Sequence, residues 1–363
     1  MNRMKQNIVF LTNIPAPYRE KLHERLYARY GDKYSVIYCS TIEKGRLWKV
    51  DVGNYSHQFL STENHGLLYN IQLVINRLRQ LKPRVVILPM ELKPTFISAM
   101  IYAYLSRVKV VFYTDATIDS EAHYSLMRIA LRRMQCWIGD AFICISKGGE
   151  ALYRSYGVQA TKIFKSCLCA DNNIFKPMTV KKIYDLVYVC YIRERKLPAF
   201  FAEIATFTPP HLLNNDNFKL LIVGEGEERK TLLAKLDNAG IAYRYVGYAT
   251  QEELPLYYNQ SRLMVFTTRR DAWGVTANEA MMCGCPVLVS RAAGCANDLV
   301  RDGINGYVLE NDNAREWAER IASLLDNPNL YRQFSDKAVE TAKEYNYDAA
   351  ARGVIEAINS LST

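Results

Sequence analysis

Short apolar runs alternate with longer stretches of helical periodicity along this chain, and no other feature constrains its fold as strongly. In the first half the runs cover residues 8–11, 34–39, 85–89, 108–113 and 141–145, and the helical patterns cover 67–81, 95–105 and 122–138. Strands and helices in alternation predict a mostly parallel sheet with helices on both faces. We therefore predict an α/β fold.

The alternation breaks at residues 171–182, a polar stretch that contains a proline. It then restarts with apolar runs at 186–190, 220–223, 263–266 and 287–289. A chain of 363 residues has room for two domains. We predict two doubly wound, Rossmann-like domains at 1–175 and 176–345, with a C-terminal helix at 346–363 that crosses back to the first. Such sheets bind ligands at the carboxyl ends of their strands, so we expect the site between the two domains.

The net charge of +9 is distributed unevenly. Residues 1–176 carry 25 Lys and Arg against 13 Asp and Glu, whereas the remainder carries 21 against 24. A basic first half indicates an anionic partner, such as a membrane surface, a nucleic acid or a phosphorylated substrate. Most of the nine cysteines lie in apolar runs, as in reduced proteins, and no apolar run is long enough for a membrane span or a signal peptide. We expect a cytoplasmic protein.

The most informative segment begins at Asp271 and reads Asp-Ala-Trp-Gly-Val-Thr-Ala-Asn-Glu-Ala-Met-Met-Cys-Gly-Cys-Pro-Val. It follows a predicted strand. Gly274 permits a sharp turn, and residues 276–283 are predicted to form a helix that ends at a glycine. Unpaired amides and the helix dipole bind anions at such a helix start, so a diphosphate fits the turn made by Gly274, Val275 and Thr276.

Two carboxylates in this segment, Asp271 and Glu279, stand eight residues apart. Carboxylates accept hydrogen bonds from neutral hydroxyls, so the pair suits sugar hydroxyls better than phosphate. The alternative is that Asp271 caps the helix and Glu279 is a solvated helix residue. The spacing by itself favours that alternative, whereas the surrounding glycines and proline favour the functional interpretation.

The same segment resembles the E-x7-E motif of glycosyltransferase family 4, whose members have the GT-B fold. The resemblance extends to residues 13–19 and 170–175, to Ala293-Gly294 and to residues 302–308, and so covers nearly the whole chain. It implies two Rossmann-like domains that face each other across a cleft. The N-terminal domain would bind the acceptor and the C-terminal domain a nucleotide sugar.

The resemblance also implies residue roles in binding the donor. Asp271 would act as a catalytic residue at the donor sugar, although the family usually has Glu there, and Glu279 would bind the ribose. Lys196 falls at the position of a phosphate-binding lysine. Tyr191 stands where the family has an arginine, so Arg193 or Arg195 would supply that charge.

Two further donor contacts follow from the resemblance. Gly224 lies in a Val-Gly-x-Gly turn, and Tyr248 lies in the region that is near the nucleobase in the family. The alternatives are a tight strand-to-helix turn for Gly224 and an ordinary packed aromatic for Tyr248.

Acceptor contacts are expected in the first domain. Tyr18 and Arg19 follow the first predicted strand in a proline-stiffened loop that faces the acceptor in the family. Asp115 follows the strand at 108–113, and His123 is a candidate acid–base group. A structural histidine is the alternative for His123.

Family members transfer the sugar with retention of anomeric configuration, and the departing diphosphate accepts the acceptor proton. The protein then supplies electrostatic stabilisation of the leaving group. No Asp-x-Asp motif or convincing Cys and His cluster is present in the sequence, so we expect no metal and no cofactor beyond the nucleotide sugar. A UDP-sugar is favoured, with a GDP-sugar as the alternative.

Within the helical pattern at 122–138, the predicted helix at 125–138 carries Arg128, Arg132 and Gln135 at helical spacing, with apolar neighbours. This basic stripe suits an anionic membrane surface, with a core helix that has a solvated basic face as the alternative. Because family members often extend lipid-linked saccharides, we expect a peripheral hexosyltransferase of surface polysaccharide synthesis, for lipopolysaccharide O-antigen or capsule, on the inner face of the plasma membrane.

Three other functions are alternatives. A catalytically weak nucleotide-sugar-binding protein stays open because Tyr191 stands where the family has an arginine. An NAD-dependent dehydrogenase is disfavoured because Arg229 occupies the third glycine position of the dinucleotide fingerprint. A nucleic-acid binder is disfavoured because no recognised nucleic-acid motif accompanies the basic patch.

Overall fold

Two parallel sheets, each flanked by helices, form the framework of the chain in the computed structural model, which describes residues 7–41, 50–60, 67–209, 212 and 219–362. The chain divides into unit 1, Met1–Leu168 with Tyr347–Thr363, and unit 2, Cys169–Asn346. Every strand pairing among these described residues is parallel. The prediction of two doubly wound α/β domains is confirmed.

Unit 1 contains a seven-stranded sheet of order β3-β2-β1-β4-β5-β6-β7. Its strands are β1 (Ile8–Thr12), β2 (Tyr34–Tyr38), β3 (His57–Phe59), β4 (Val85–Pro89), β5 (Lys109–Thr114), β6 (Ala141–Cys144) and β7 (Ile163–Lys165). Its helices are α1 (Pro17–Tyr30), α2 (Leu67–Leu81), α3 (Pro94–Leu105), α4 (Ile118–Glu121), α5 (Leu126–Ile138), α6 (Lys147–Ser155) and, from the C-terminal part of the chain, α13 (Tyr347–Asn359).

Unit 2 contains a six-stranded sheet of order β10-β9-β8-β11-β12-β13. Its strands are β8 (Tyr184–Val189), β9 (Leu220–Val223), β10 (Tyr243–Gly247), β11 (Ser261–Phe266), β12 (Val287–Ser290) and β13 (Gly306–Leu309). Its helices are α7 (Pro198–Thr206), α8 (Arg229–Asn238), α9 (Leu254–Gln260), α10 (Val275–Met282), α11 (Ala314–Leu325) and α12 (Pro328–Glu344).

The central strands are buried along their whole length. In β1 and β4 every residue is buried, and so is every residue of β9 and β12. Parallel strands that helices cover on both faces need such continuous apolar runs, which is why the sequence pattern located them. Prolines at the first turn of α1, α3 and α7 fix where those helices begin.

The helix predicted at 125–138, within the helical pattern at 122–138, is present as α5, which begins at Leu126. Ser125 precedes it, and its side-chain oxygen accepts a hydrogen bond from the amide of Arg128, so this residue caps the helix.

The predicted basic stripe on this helix is wrong. Arg132 and Gln135 are buried, and Arg132 forms an ion pair with Glu121 at 2.8 Å. The hydrophobic periodicity is real, but in this helix it is the polar side that packs inward.

The helix α13 packs against α1 and β7 within unit 1. Gly353 allows a close approach there, since a Cβ at this position would lie 1.9 Å from the carbonyl oxygen of Lys165. The hydroxyl of Ser166 donates to the carbonyl of Ala350 at 2.9 Å. Within the described ranges, no helix combines the length and the apolar character that a bilayer span requires.

Candidate active site

The loops that follow β8 and β11 meet at the carboxyl edge of the unit 2 sheet, where these two strands are neighbours. Lys196 ends a short 3-10 turn, Glu194–Lys196, after β8. Its carbonyl oxygen accepts hydrogen bonds from the hydroxyls of Tyr188 (2.7 Å) and Thr267 (2.6 Å). The Lys196 backbone is therefore fixed to both strands, and the residue is only 7% exposed.

Asp271 follows β11 and binds this lysine. One oxygen of its carboxylate lies 2.6 Å from the Lys196 ammonium and 3.1 Å from the Arg195 guanidinium, and the other accepts the amide of Trp273 at 3.2 Å. The ammonium also lies 4.2 Å from the centroid of the Phe266 ring. The structure thus brings Lys196, Arg195 and Asp271 together in one cluster.

The charges in this cluster are strongly coupled. Burial by itself would raise the pKa of Asp271, but the Lys196 ammonium, the Arg195 guanidinium and the Trp273 amide together hold that pKa below its usual value. Asp271 is therefore ionised at neutral pH and acts as the counter-ion of Lys196. Its hydrogen bond to the Trp273 amide also stabilises the loop, but Asp271 does not cap α10, whose N-cap is Gly274.

The helix α10 begins directly after Gly274. This glycine has φ +102°, in the left-handed region, and a Cβ there would lie 2.3 Å from the ring of Phe266. Val275 and Thr276 are the first residues of the helix, which starts one residue before the prediction. Amides in a first helical turn have no intrahelical acceptor, so this turn presents N–H groups and a positive helix end close in sequence to Asp271.

Glu279 lies inside α10 and is 5% exposed, so its interpretation as a solvated carboxylate is wrong. Its Oε2 accepts a hydrogen bond from the hydroxyl of Tyr258, a buried residue of α9, at 2.9 Å. Burial raises the pKa of Glu279 to about 7, and the Tyr258 hydrogen bond acts in the opposite direction. Near neutrality this carboxyl can therefore exist in either protonation state.

Gly224 follows β9 with φ +130°. A Cβ there would lie 1.8 Å from the carbonyl oxygen of Cys190, and its amide donates to the carbonyl of Gly247 at 2.6 Å. These contacts explain the glycine as a packing requirement. Tyr248, the next residue after Gly247, is 50% exposed, so its ring is accessible to a stacking partner.

The two arginines that follow β8 differ in placement. Arg195 joins the Asp271 cluster, whereas the guanidinium of Arg193 lies 5.6 Å from the ring centroid of Tyr191. Tyr191 itself is exposed. Arg195 is therefore the residue that supplies additional positive charge beside Lys196.

Unit 1 has a polar pocket of about 330 Å³ at the carboxyl ends of β1, β4 and β5. Three predicted residues line it: Tyr18, Arg19 and Asp115. The guanidinium of Arg19 lies 4.8 Å from the ring centroid of Tyr113. His123 does not line this pocket; it is exposed and packs edge-on against Tyr124.

Three lining residues, Asn13, Glu91 and Lys93, were missed by the sequence analysis. The Lys93 ammonium lies 3.1 Å from Glu91 and 2.9 Å from the amide oxygen of Asn13, whose nitrogen donates to Glu91 at 2.8 Å. Glu91 and Lys93 follow the apolar run 85–89, so the strand-end rule that selected Asp115 would also have found them.

Tyr258 and a polar triad formed by Thr268, Ser290 and Asn311 were missed as well. Asn311 receives the hydroxyl of Ser290 at 2.6 Å and donates to the carbonyl of Thr268 at 2.9 Å, while the Thr268 amide donates to Ser290 at 2.8 Å. These bonds hold the start of the loop in place. Polar residues directly after apolar runs were the available signal.

In the described part of the chain, no group of three or more His, Cys, Asp or Glu side chains is arranged to hold a metal ion.

Comparison with known proteins gives this cluster a family context. Residues 188–341 match the family model described as glycosyl transferases group 1. The D-inositol 3-phosphate glycosyltransferase of Thermobispora bispora is 33% identical over 136 residues, which are 37% of this chain and 32% of that protein. The N-acetyl-alpha-D-glucosaminyl L-malate synthase of Bacillus anthracis is 29% identical over 126 residues, 35% of this chain and 33% of that protein. The chain thus spans about a third of the length of these two curated relatives.

Solved structures share the fold over nearly the whole chain. The Anabaena protein HepE, solved with UDP and glucose, superposes with a TM-score of 0.76 at 16% identity, covering 98% of this chain and 100% of HepE. The lipopolysaccharide outer core galactosyltransferase WaaB gives a TM-score of 0.73 at 14% identity, with coverage of 98% and 99%. Residues 188–341, which include Lys196, Asp271 and Glu279, therefore match the glycosyl transferases group 1 model, and the chain shares the two-sheet fold of HepE and WaaB.

Proposed function

We propose that this chain is a glycosyltransferase that moves a hexose from a nucleoside diphosphate sugar to a saccharide acceptor with retention of configuration. The observation that carries the proposal is the cluster of Lys196, Arg195 and Asp271 beside the start of α10. Two cations and a turn of unpaired amides in one loop region are suited to a diphosphate.

The donor would bind along the α10 loop of unit 2. The Lys196 ammonium and the amides of Gly274, Val275 and Thr276 would hold the diphosphate. Glu279 would accept a ribose hydroxyl in place of the Tyr258 hydroxyl, or together with it. A UDP-sugar is favoured because HepE was solved with UDP and with UDP-glucose.

The chemistry of this chain's residues is electrostatic. Negative charge develops on the leaving diphosphate in the transition state, and a preorganised cation stabilises it. Lys196 is preorganised because its backbone is fixed by Tyr188 and Thr267 and its ammonium by Asp271. Asp271 would therefore act partly through Lys196, in addition to any contact with the donor sugar, and the leaving phosphate would accept the acceptor proton.

The acceptor would occupy the polar pocket of unit 1. Its lining offers the guanidinium of Arg19 and the carboxylates of Glu91 and Asp115, which suit a hydroxyl-rich or anionic saccharide. Matched proteins are named for inositol phosphate, poly(glycerol-phosphate) and lipopolysaccharide chemistry. We infer a saccharide acceptor, lipid-linked in surface polysaccharide synthesis such as that of O-antigen or capsule, used at the cytoplasmic face of the plasma membrane.

One observation favours a catalytically weak nucleotide-sugar-binding protein instead. Tyr191 is exposed where the resembled family has an arginine, and the guanidinium of Arg193 lies 5.6 Å from the centroid of its ring. If both cations of the family are needed for the leaving group, such a chain would bind the donor and turn it over slowly.

A donor panel tests both functions. Thermal shift with UDP, GDP, ADP and their sugars measures binding, and release of nucleoside diphosphate with and without saccharide acceptors measures turnover. The proposal predicts that one nucleotide series stabilises the chain and that Lys196→Met abolishes turnover, while Lys337→Met, a surface substitution, leaves it unchanged. If a nucleotide sugar stabilises the unsubstituted chain but no nucleoside diphosphate is released, the chain is a nucleotide-sugar-binding protein. If no nucleotide either stabilises the chain or is turned over, both proposed functions are contradicted.

A further inference from the structure

The outward surface of α3 and α5 is apolar. On α5 it is formed by Leu126, Met127, Ala130, Met134 and Trp137, and on α3 by Ile101, Tyr104 and Leu105. We call these eight residues the apolar face. Four of them, Leu126, Leu105, Trp137 and Met127, are at least 72% exposed. The two helices are continuous here, since the rings of Tyr104 and Trp137 lie 6.1 Å apart.

The outward orientation of the α5 part is fixed by its polar residues, which point inward. Arg132 donates to the carbonyl of Met90 and forms an ion pair with Glu121, and both side chains of that pair are at most 6% exposed. Gln135 donates to the carbonyl of Glu91 at 3.3 Å. Turning the apolar residues inward would break this buried network and leave charges without partners, which is costly. The apolar face is therefore a stable surface of unit 1.

The charges around this face are positive. The α5 segment contains three arginines and no acidic residue, and α3 contains no charged residue at all. Arg128 and Arg133 on α5 and Arg107 just after α3 are exposed. Residues 1–176 as a whole carry 25 basic against 13 acidic side chains. Exposed Leu, Met and Trp beside arginines is the composition of helices that lie in the interface of anionic membranes.

We propose that the apolar face of α3 and α5 inserts into the headgroup region of an anionic lipid bilayer and docks unit 1 on the membrane. The aromatic residues Tyr104 and Trp137 suit the boundary between headgroups and acyl chains. Arg128 and Arg133 add attraction to acidic headgroups, which salt weakens. This inference differs from the sequence prediction, since the contact is made by exposed apolar residues rather than by a stripe through Arg132 and Gln135. It does not depend on the proposed glycosyl transfer.

Vesicle flotation of the full chain tests the proposal. Binding is measured on phosphatidylcholine vesicles with and without phosphatidylglycerol, at about 0.1 M and about 1 M salt, where the Debye length falls from about 10 Å to about 3 Å. We expect binding to the anionic vesicles that weakens at high salt. The emission of Trp137, isolated by comparison with a Trp137→Phe variant, should shift to shorter wavelength on binding.

Two sets of variants identify the surface. Leu126→Ser, Met127→Ser and Trp137→Ser combined should lower affinity for anionic vesicles at least tenfold, whereas a matched triple at exposed apolar residues of unit 2, Met178→Ser, Leu256→Ser and Ile304→Ser, should not. Arg128→Gln with Arg133→Gln should weaken binding at low salt only. Arg29→Gln with Arg352→Gln, both exposed in unit 1, controls for net charge.

The outcomes separate the alternatives. Absence of vesicle binding by the unsubstituted chain, or binding that the apolar triple leaves unchanged, overturns the proposal. A concentration-dependent dimer that the same triple dissociates, without lipid binding, identifies the face as a self-interface and overturns it too. Since the triple removes no pocket residue, donor hydrolysis should be retained. Lipid binding by a chain without any nucleotide response would refute the proposed function and leave this inference intact.

Discussion

The ion pair between Lys196 and Asp271 allows a quantitative test of the site. The two side chains are 9% and 14% exposed, and their charged atoms lie 2.6 Å apart. Asp271→Asn keeps the shape but removes the charge, and leaves a buried ammonium beside Arg195. Removing one partner of a buried pair costs about 3–5 kcal/mol of stability. Replacing both residues, with Asp271→Asn and Lys196→Met, removes the unpaired ammonium. The loss of unfolding free energy in the double variant should therefore be smaller, by at least about 2 kcal/mol, than the sum of the losses in the two single variants.

The assay is a double-mutant cycle in urea. Tryptophan fluorescence, to which the buried Trp273 and Trp317 of unit 2 contribute, reports unfolding of this unit. Arg301 and Glu344 form a surface pair in the same unit, with side chains 42% and 58% exposed, and their coupling should stay below about 1 kcal/mol. If the Lys196–Asp271 coupling is no larger than that of the surface pair, the lysine is not held by the aspartate and our account of its preorganisation is wrong.

The same pair predicts a pH dependence. Because the folded-state pKa of Asp271 is lowered, the unfolded chain binds more protons as the pH falls. The stabilisation is present above the unfolded pKa near 3.8 and is lost as the pH falls through the folded value. The difference in unfolding free energy between the unsubstituted chain and Asp271→Asn should therefore be constant near neutral pH and shrink below about pH 4. A difference that stays constant in that acidic range would contradict the lowered pKa of Asp271.

Three further predictions concern other residues. Raising the pKa of Glu279 from 4.5 to about 7 corresponds to about 3 kcal/mol. As the pH rises from 4.5 to 7, Glu279→Gln should therefore gain stability relative to the unsubstituted chain, and its nucleotide affinity, measured by calorimetry, should be at least tenfold lower. A stability difference that does not change with pH would refute the buried carboxyl. Gly224→Ala should prevent folding of unit 2, since the new Cβ would lie 1.8 Å from a carbonyl oxygen. Gly240→Ala, whose Cβ would meet open space, should lower the free energy of unfolding by only about 1 kcal/mol in thermal melts. Equal effects of the two variants would refute the packing argument. Arg19→Gln should raise the acceptor KM and leave the donor KM unchanged, and the reverse would place Arg19 on the donor side.

Much of the fold was predictable because parallel strands are continuous apolar runs. Such runs marked β1, β4, β9 and β12, and all four are fully buried. The error in the basic stripe predicted on α5 has a physical cause. Periodicity detects two faces of a helix but not which of them is buried, and Arg132 is inside because Glu121, eleven residues earlier, neutralises it.

The candidate site was predictable only in part. Glycines and carboxylates at strand ends selected Asp271, Glu279 and Gly274. The contact between Tyr258 and Glu279 joins separate helices, α9 and α10, and no local pattern encodes it. Which of two nearby arginines reaches Asp271 depends on the turn after β8, where Leu197 adopts a left-handed conformation that the sequence did not signal.

The closing helix α13 has a consequence for the order in which the chain folds as it is synthesised. Unit 2 is one continuous segment and can fold from its own residues, whereas unit 1 is incomplete until residues 347–359 have been synthesised. Until then the groove beside Lys165, into which Gly353 fits, stays uncovered. The half of the chain that is translated first is therefore completed last.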